Sequence, residues 1–319
     1  MIYLSRQDVE SLNLGMPRII ELLEQMFVEK GRGRVEMPPK PGLHPLPDAF
    51  IHAMPAYIPK FSAAGIKWVS GFPQNMEKGL PYIHGLIIMN DVETGIPTAV
   101  LDATWVTAMR TGAATAVAAK HLARPESSRV AIIACGVQGR SNLEALACAF
   151  KIKEVTAVDT NTKVAERFAA DMSKKLNCTV KVSDDIESAV KNVDIVVTSG
   201  PILKDPKPPL LAKWIQPGTF ISAVDFDSYL EPAVFKMAAK LVTDDLKQMD
   251  YYRSVGYFKQ TPAAHGDLGQ LACGEIKGRQ TPEEITVAVN LGIALEDMVV
   301  TAELCQMAKR QGLGVTLPL

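Results

Sequence analysis

The sequence has no excess of either charge. Its 34 Lys and Arg residues against 35 Asp and Glu leave a formal net charge of −1, which offers no global attraction to nucleic acid or to an anionic membrane. A small molecule or another protein is the expected partner. No apolar run is long enough to span a bilayer, and the first ten residues hold Arg6, Asp8 and Glu10 where a secretion signal needs an apolar core. A soluble, cytoplasmic protein is expected. The five cysteines, at 135, 148, 178, 273 and 305, lack Cys-x-x-Cys spacing, and the five histidines fit no metal-ligand spacing. Neither a disulfide framework nor a metal site is suggested. Repeats and low-complexity tracts are also missing. What the chain does have is apolar substance: 47% of its 319 residues are hydrophobic and 22% charged. That is enough for a substantial core, excludes a disordered or fibrous protein, and at this length points to two domains.

Residues 17–30 predict the first helix, because Ile19, Leu22, Leu23, Met26 and Phe27 recur at helical spacing and Gly31 and Gly33 stop it. Met37-Pro38-Pro39-Lys40-Pro41-Gly42 cannot be a helix or a central strand. Residues 50–57, 64–69, 84–90 and 98–102 predict short strands divided by Gly, Pro and Asn turns, an antiparallel block. The Ala-rich stretch 109–122 then predicts a helix ending at Arg124-Pro125. From Arg129 strand and helix alternate, as in a parallel sheet covered by helices. Strands are expected at 130–133, 155–158, 179–182, 195–198, 220–224, 240–243 and 285–289, and helices at 141–150, 162–175 and 184–190. Asn290 is placed to cap a last helix running to about Gln311, with Gly312 past its end. The expected class is α/β. A Rossmann-type doubly wound parallel sheet occupies 115–290, and an α+β domain is made of 1–114 plus 291–319.

Between the first two strands of that sheet stands Ala134-Cys135-Gly136-Val137-Gln138-Gly139, and Asp159 ends the second strand. A tight turn of small residues, backbone amides that can approach a diphosphate, and a helix amino terminus make a dinucleotide cradle. Gly136, Val137, Gln138 and Gly139 are therefore cofactor candidates. Asp159 is placed to accept hydrogen bonds from a ribose and to repel a 2′-phosphate, which favours NAD over NADP. Ala134 stands where the first glycine of such a turn usually falls, so the turn must tolerate a β-carbon. Arg140 either contacts a phosphate or is a solvated helix-end arginine.

Several separated segments now resemble one family: Gly65-Ile66-Lys67-Trp68-Val69-Ser70-Gly71, Asp91-Val92-Glu93-Thr94-Gly95-Ile96-Pro97, Thr107-Ala108-Met109-Arg110-Thr111-Gly112-Ala113-Ala114, the Gly136 to Gly139 turn, and Gly292-Ile293-Ala294-Leu295-Glu296-Asp297. Over essentially the whole chain the sequence resembles the ornithine cyclodeaminase and mu-crystallin family. The resemblance implies hydride exchange between a nicotinamide and the bond joining an amino acid's α-carbon to its nitrogen. It also implies a homodimer formed through the domain without the nucleotide.

An α-amino or α-imino acid presents a carboxylate that fixed cations must hold. Lys67, Arg110 and Lys40 match the family's carboxylate-binding positions. Otherwise Lys67 snorkels at a strand edge, Arg110 makes an ion pair between domains, and Lys40 is an ordinary loop lysine. His52 stands where alanine dehydrogenase relatives carry a basic residue near the substrate, or it is a strand histidine satisfied by hydrogen bonds. Asp225 ends an apolar strand where open α/β sheets place their active sites, and it matches the catalytic aspartate; the other reading is a helix cap. Lys67 joins Asp225 in the catalytic set. Thr198 and Ser199, with Thr111 and Val224, complete the cofactor set.

After the catalytic aspartate, ornithine cyclodeaminases carry Cys-Pro-Gly-Lys, whereas this chain reads Phe226-Asp227-Ser228-Tyr229. The loop has lost its lysine, although Asp227 could supply an anion for a distal amine. A ketimine reductase converting 1-pyrroline-2-carboxylate to L-proline is the leading expectation, ahead of an alanine dehydrogenase or an ornithine cyclodeaminase. A non-catalytic protein that binds NAD(P)H or another ligand is the alternative of a different class.

Overall fold

The structure is a computed structural model that describes residues 1–319, the side chain of Met76 excepted. It divides into two compact units, Met1–Arg110 with Gly292–Leu319, and Thr111–Leu291.

The first unit opens with β1 (Ile2–Leu4), α1 (Arg6–Ser11) and α2 (Met16–Gly31). Ile19, Leu22, Leu23, Met26 and Phe27 form the buried stripe of α2, and Gly33, at φ +67°, takes the left-handed turn that its missing β-carbon permits. Then come β2 (Gly42–Leu43), β3 (Phe50–Ile58), β4 (Ala63–Gly71), β5 (Ile83–Asn90) and β6 (Pro97–Asp102), paired antiparallel in chain order. Period-two alternation buries Met54, Ala56, Ile58, Lys67, Val69, Ile87 and Leu101, while Trp68 and Leu86 on the opposite face are 47% and 44% exposed. Helix α3 (Thr104–Leu122) begins five residues before the start expected at 109. The Asp102 carboxylate accepts from Thr104 N–H at 2.9 Å, and this local bond overrides the weak helix propensity of Trp105, Val106 and Thr107.

The second unit contains β7 (Arg129–Ile133), α4 (Val137–Ala149), β8 (Glu154–Val158), α5 (Thr162–Leu176), β9 (Thr179–Val182), α6 (Ile186–Val190), β10 (Ile195–Thr198) and β11 (Phe220–Ala223). It continues through α7 (Pro232–Met237), β12 (Lys240–Thr243), α8 (Leu246–Ser254), β13 (Gly266–Asp267), α9 (Leu268–Ala272) and β14 (Thr286–Val289). Its eight strands run parallel in the order β13-β12-β14-β11-β10-β7-β8-β9. Every residue of β10, β11 and β14 is buried, as expected of strands covered on both faces. The strand order reverses between β7 and β10, and such a switch point opens a crevice at the carboxyl ends of the strands.

The chain then returns to the first unit with α10 (Ala294–Gln311), which packs on β3, β4 and α2, and β15 (Val315–Thr316), which pairs with β1. Asn290 does not cap α10. The capping position is Ile293, and the buried Asn290 amide donates instead to Thr115 Oγ1 at 3.2 Å and Ser222 Oγ at 3.0 Å. Two buried hydroxyls hold that side chain in the second unit. Among the described residues no helix is long and apolar enough to cross a membrane, and no His, Cys, Asp and Glu cluster could hold a metal ion.

Candidate active site

In the second unit the turn from β7 to α4 is built as an anion cradle. Gly136 caps helix α4 and, having no side chain, makes no capping bond, which leaves the helix's first amides and positive dipole end for a ligand. A β-carbon on Gly136 would meet nothing, whereas one on Gly139 would stand 2.5 Å from the Ala134 carbonyl oxygen. Gly139 is thus the position where helix and strand come closest. Val137 is 65% exposed beside the turn, and Gln138 accepts through its carbonyl oxygen from Asn142 Nδ2. Ala134 adopts φ +73°, so the chain makes the glycine-type turn with a β-carbon at a cost of about 1–2 kcal/mol. Asp159 stands at the end of β8 and accepts from Cys135 N–H at 2.8 Å and Asn161 N–H at 2.9 Å. These residues fit a dinucleotide. Arg140 pairs with Asp171 at 2.9 Å and lies over the Phe168 ring, so in this structure it is an ion-paired helix residue.

At the carboxyl end of β11, Asp225 is fully buried. Its carboxylate accepts from Thr198 Oγ1 at 2.8 Å and from Gly200 N–H at 3.0 Å. It caps no helix: α7 starts after Glu231. Burial pushes its pKa up to about 7 against the opposing pull of those two hydrogen bonds. Thr198, placed by sequence with the cofactor residues, spends its hydroxyl on this carboxylate. Ser199 donates to the Ala134 carbonyl at 2.9 Å, joining the end of β10 to the cradle. Val224 donates its N–H to the Thr198 carbonyl at 2.9 Å, and Thr111 is buried on α3. The backbone reverses sharply after Asp225 because Phe226 takes φ +62°, its ring packed against Tyr252, Tyr257 and Phe258. The stretch 251–274 therefore packs on the sheet through its aromatic residues. Asp227 accepts from Thr261 Oγ1 at 3.1 Å.

In the first unit the expected substrate cations converge. Lys67 is completely buried on β4 and donates to Asp297 Oδ1 at 2.7 Å and Thr107 Oγ1 at 3.3 Å. Arg110 reaches Glu296 Oε2 at 2.7 Å through Nη1 and Asp297 Oδ1 at 3.2 Å through Nε. Lys40 donates to the Gly292 carbonyl at 2.8 Å. Burial, with Arg110 adding to it, lowers the Lys67 pKa to about 8 while Asp297 resists. His52 is pushed down to about 2 by burial, Lys40 and His44, so it is a neutral ring stacked on Phe50 at 4.3 Å, not a cation. Glu296 and Asp297 stand in the Gly292 to Asp297 segment, where sequence alone assigns them no role. Their signal in the sequence is two acids in the first turn of a helix whose first two turns are otherwise apolar, a place both the dipole and a buried cation favour.

The sequence profile of the ornithine cyclodeaminase/mu-crystallin family matches residues 1–311. The alanine dehydrogenase of Archaeoglobus fulgidus is 34% identical, with 98% of this chain and 97% of that one aligned. Among solved structures, the Thermococcus litoralis Δ1-pyrroline-2-carboxylate reductase in complex with NADH and L-proline superposes with a TM-score of 0.90 at 32% identity, covering 99% of this chain and 100% of that one. An archaeal alanine dehydrogenase dimer with bound NAD superposes with a TM-score of 0.89 at 34% identity, covering 100% and 99%. With the family's profile matched over residues 1–311 and relatives above 30% identity aligned along nearly the whole chain, this chain belongs to the ornithine cyclodeaminase/mu-crystallin family.

Proposed function

We propose that this chain is an NAD-dependent oxidoreductase acting on the bond between the α-carbon and nitrogen of a small amino or imino acid, and specifically a reductase of 1-pyrroline-2-carboxylate to L-proline. The observation that carries this reading is Asp225, a fully buried carboxyl held by neutral donors at the end of β11 with a pKa near 7. Such a group gives a proton to an imine nitrogen in one direction and takes one from an amine in the other. Gly136 to Gly139, Ser199 and Asp159 would hold NADH, which when bound would supply the hydride that reduces the imine. Asp159 favours NAD over NADP because a carboxylate repels a 2′-phosphate.

Lys67 and Arg110 hold the substrate carboxylate, with Lys40 beside them and His52 as a neutral wall. Lys67 has three N–H donors, of which Asp297 and Thr107 take two. Asp297 and Glu296 fix the cations before substrate arrives, which lowers the ordering cost of binding. Asp227 is engaged by Thr261 and is not set aside for a distal amine, which favours the reductase over a cyclodeaminase. The neighbouring archaeal alanine dehydrogenase is a dimer. A second copy of this chain would cover the exposed face of the seven-stranded sheet around Trp68 and Leu86.

A paired assay on purified protein tests the reading. NADH oxidation with 1-pyrroline-2-carboxylate, or with pyruvate plus ammonia, is measured beside proline and ammonia release from ornithine with catalytic NAD. Stoichiometric NADH loss with the cyclic imine is expected. Loss with pyruvate and ammonia alone would make the chain an alanine dehydrogenase. Proline formed from ornithine without net NADH consumption would overturn the reductase reading.

A further inference from the structure

The side chain of Tyr229 stands at the switch point of the second unit. It packs flat on Gly200, where an added β-carbon would fall inside contact distance of the phenol ring and its hydroxyl. Gly200 is itself fixed by its N–H bond to Asp225, and the adjacent Ser199 is tied to Ala134, one residue before the amide that holds Asp159. The phenol therefore lies over the end of β10, with Asp225 on the β11 side and Asp159 on the β8 side. Burial first, then these two carboxylates, raises its pKa, so the hydroxyl keeps its proton. Among the described residues this half-buried hydroxyl has no hydrogen-bond partner. It is nevertheless held in place: Phe226 turns the loop, Ser228 Oγ accepts from Leu203 N–H at 2.9 Å, and the Tyr229 carbonyl accepts from Leu210 N–H at 3.0 Å.

A dinucleotide crossing the switch point would bring a diphosphate, which only accepts hydrogen bonds, to a place where Asp159 and Asp225 offer it no permanent donor. We propose that Tyr229 is a cofactor-binding residue whose hydroxyl donates to the ribose-diphosphate portion of the dinucleotide. This rests on the dinucleotide reading of the second unit.

Calorimetric titration of NADH and of ADP-ribose, which lacks the nicotinamide, tests it without turnover. Tyr229→Phe is expected to weaken both ligands by about 2- to 12-fold, the range of one hydrogen bond, with an unchanged melting temperature in the absence of ligand. Gly200→Ala, which pushes the phenol aside, should weaken both ligands similarly and add no further loss in the Tyr229→Phe background. Unchanged or tighter binding by Tyr229→Phe, a loss confined to NADH, or additive losses in the double variant would each overturn the assignment. A wild-type protein that binds neither ligand would remove the dinucleotide reading itself, and this assignment with it.

Discussion

Both units bury ionised or ionisable groups, and they treat them in opposite ways. In the first, Lys67 and Arg110 are buried beside Asp297 and Glu296 at 2.7 Å, so each charge has a counter-charge. In the second, Asp225 is buried with a hydroxyl and an amide for company, and among the described residues it makes no ion pair. Desolvation alone favours the neutral form of a carboxyl, whereas a counter-charge restores the ionised one. The first unit is thus suited to hold a substrate carboxylate with cations that are charged at neutral pH. The second is suited to move a proton near neutral pH.

The largest effect should come from removing the proton carrier. Asp225→Asn keeps the shape but cannot exchange the proton, and should lower the reductive kcat by about 10²- to 10⁴-fold while calorimetry shows NADH binding within twofold of wild type. Next, Asp297→Ala leaves Lys67 buried without its counter-charge. It should cost about 3–5 kcal/mol of stability, seen as a lower denaturant midpoint, whereas Thr107→Ala should cost about 1 kcal/mol.

The pH dependence sharpens the same contrast. Across pH about 4 to 7 the native Asp225 keeps a proton that the unfolded chain has released, so stability falls as pH rises through that window. Asp225→Asn should flatten that slope and melt higher than wild type at pH 8. Lys67 loses its charge above pH about 8, so the KM for the imino acid should climb there while the Kd for NADH does not. The smallest effect concerns the cradle. Ala134→Gly relieves the φ +73° strain and should raise stability by up to about 1 kcal/mol, with NADH affinity unchanged.

Periodicity makes most of both sheets legible: β9, β10 and β12 fall on the residues expected, and β3 to β6 on their expected segments, whereas the two-residue β2 falls at the end of the Pro-rich stretch expected as a loop. Local chemistry hid the exceptions. Asn290 is a good capping residue by type, but the buried Thr115 and Ser222 hydroxyls compete for its amide. The start of α3 rests on one Asp102 bond that periodicity does not register. Within the site, residue types pointed to Lys67, Arg110 and Asp225, since a lysine inside an apolar strand and an aspartate ending one need a reason. What no spacing could show is which groups share a charge. Lys67 and Asp297 are 230 residues apart in sequence, and the neutrality of His52 follows from neighbours brought to it by folding.

The most direct test is the single-turnover rate of hydride transfer from NADH to 1-pyrroline-2-carboxylate, followed from pH 5 to 9 in wild type and Asp225→Asn. If Asp225 is the proton donor, the wild-type rate falls about tenfold per unit above pH about 7, and the variant is slow and flat across the range. A wild-type rate level through pH 7, or a variant that follows the wild-type profile at comparable speed, would contradict it.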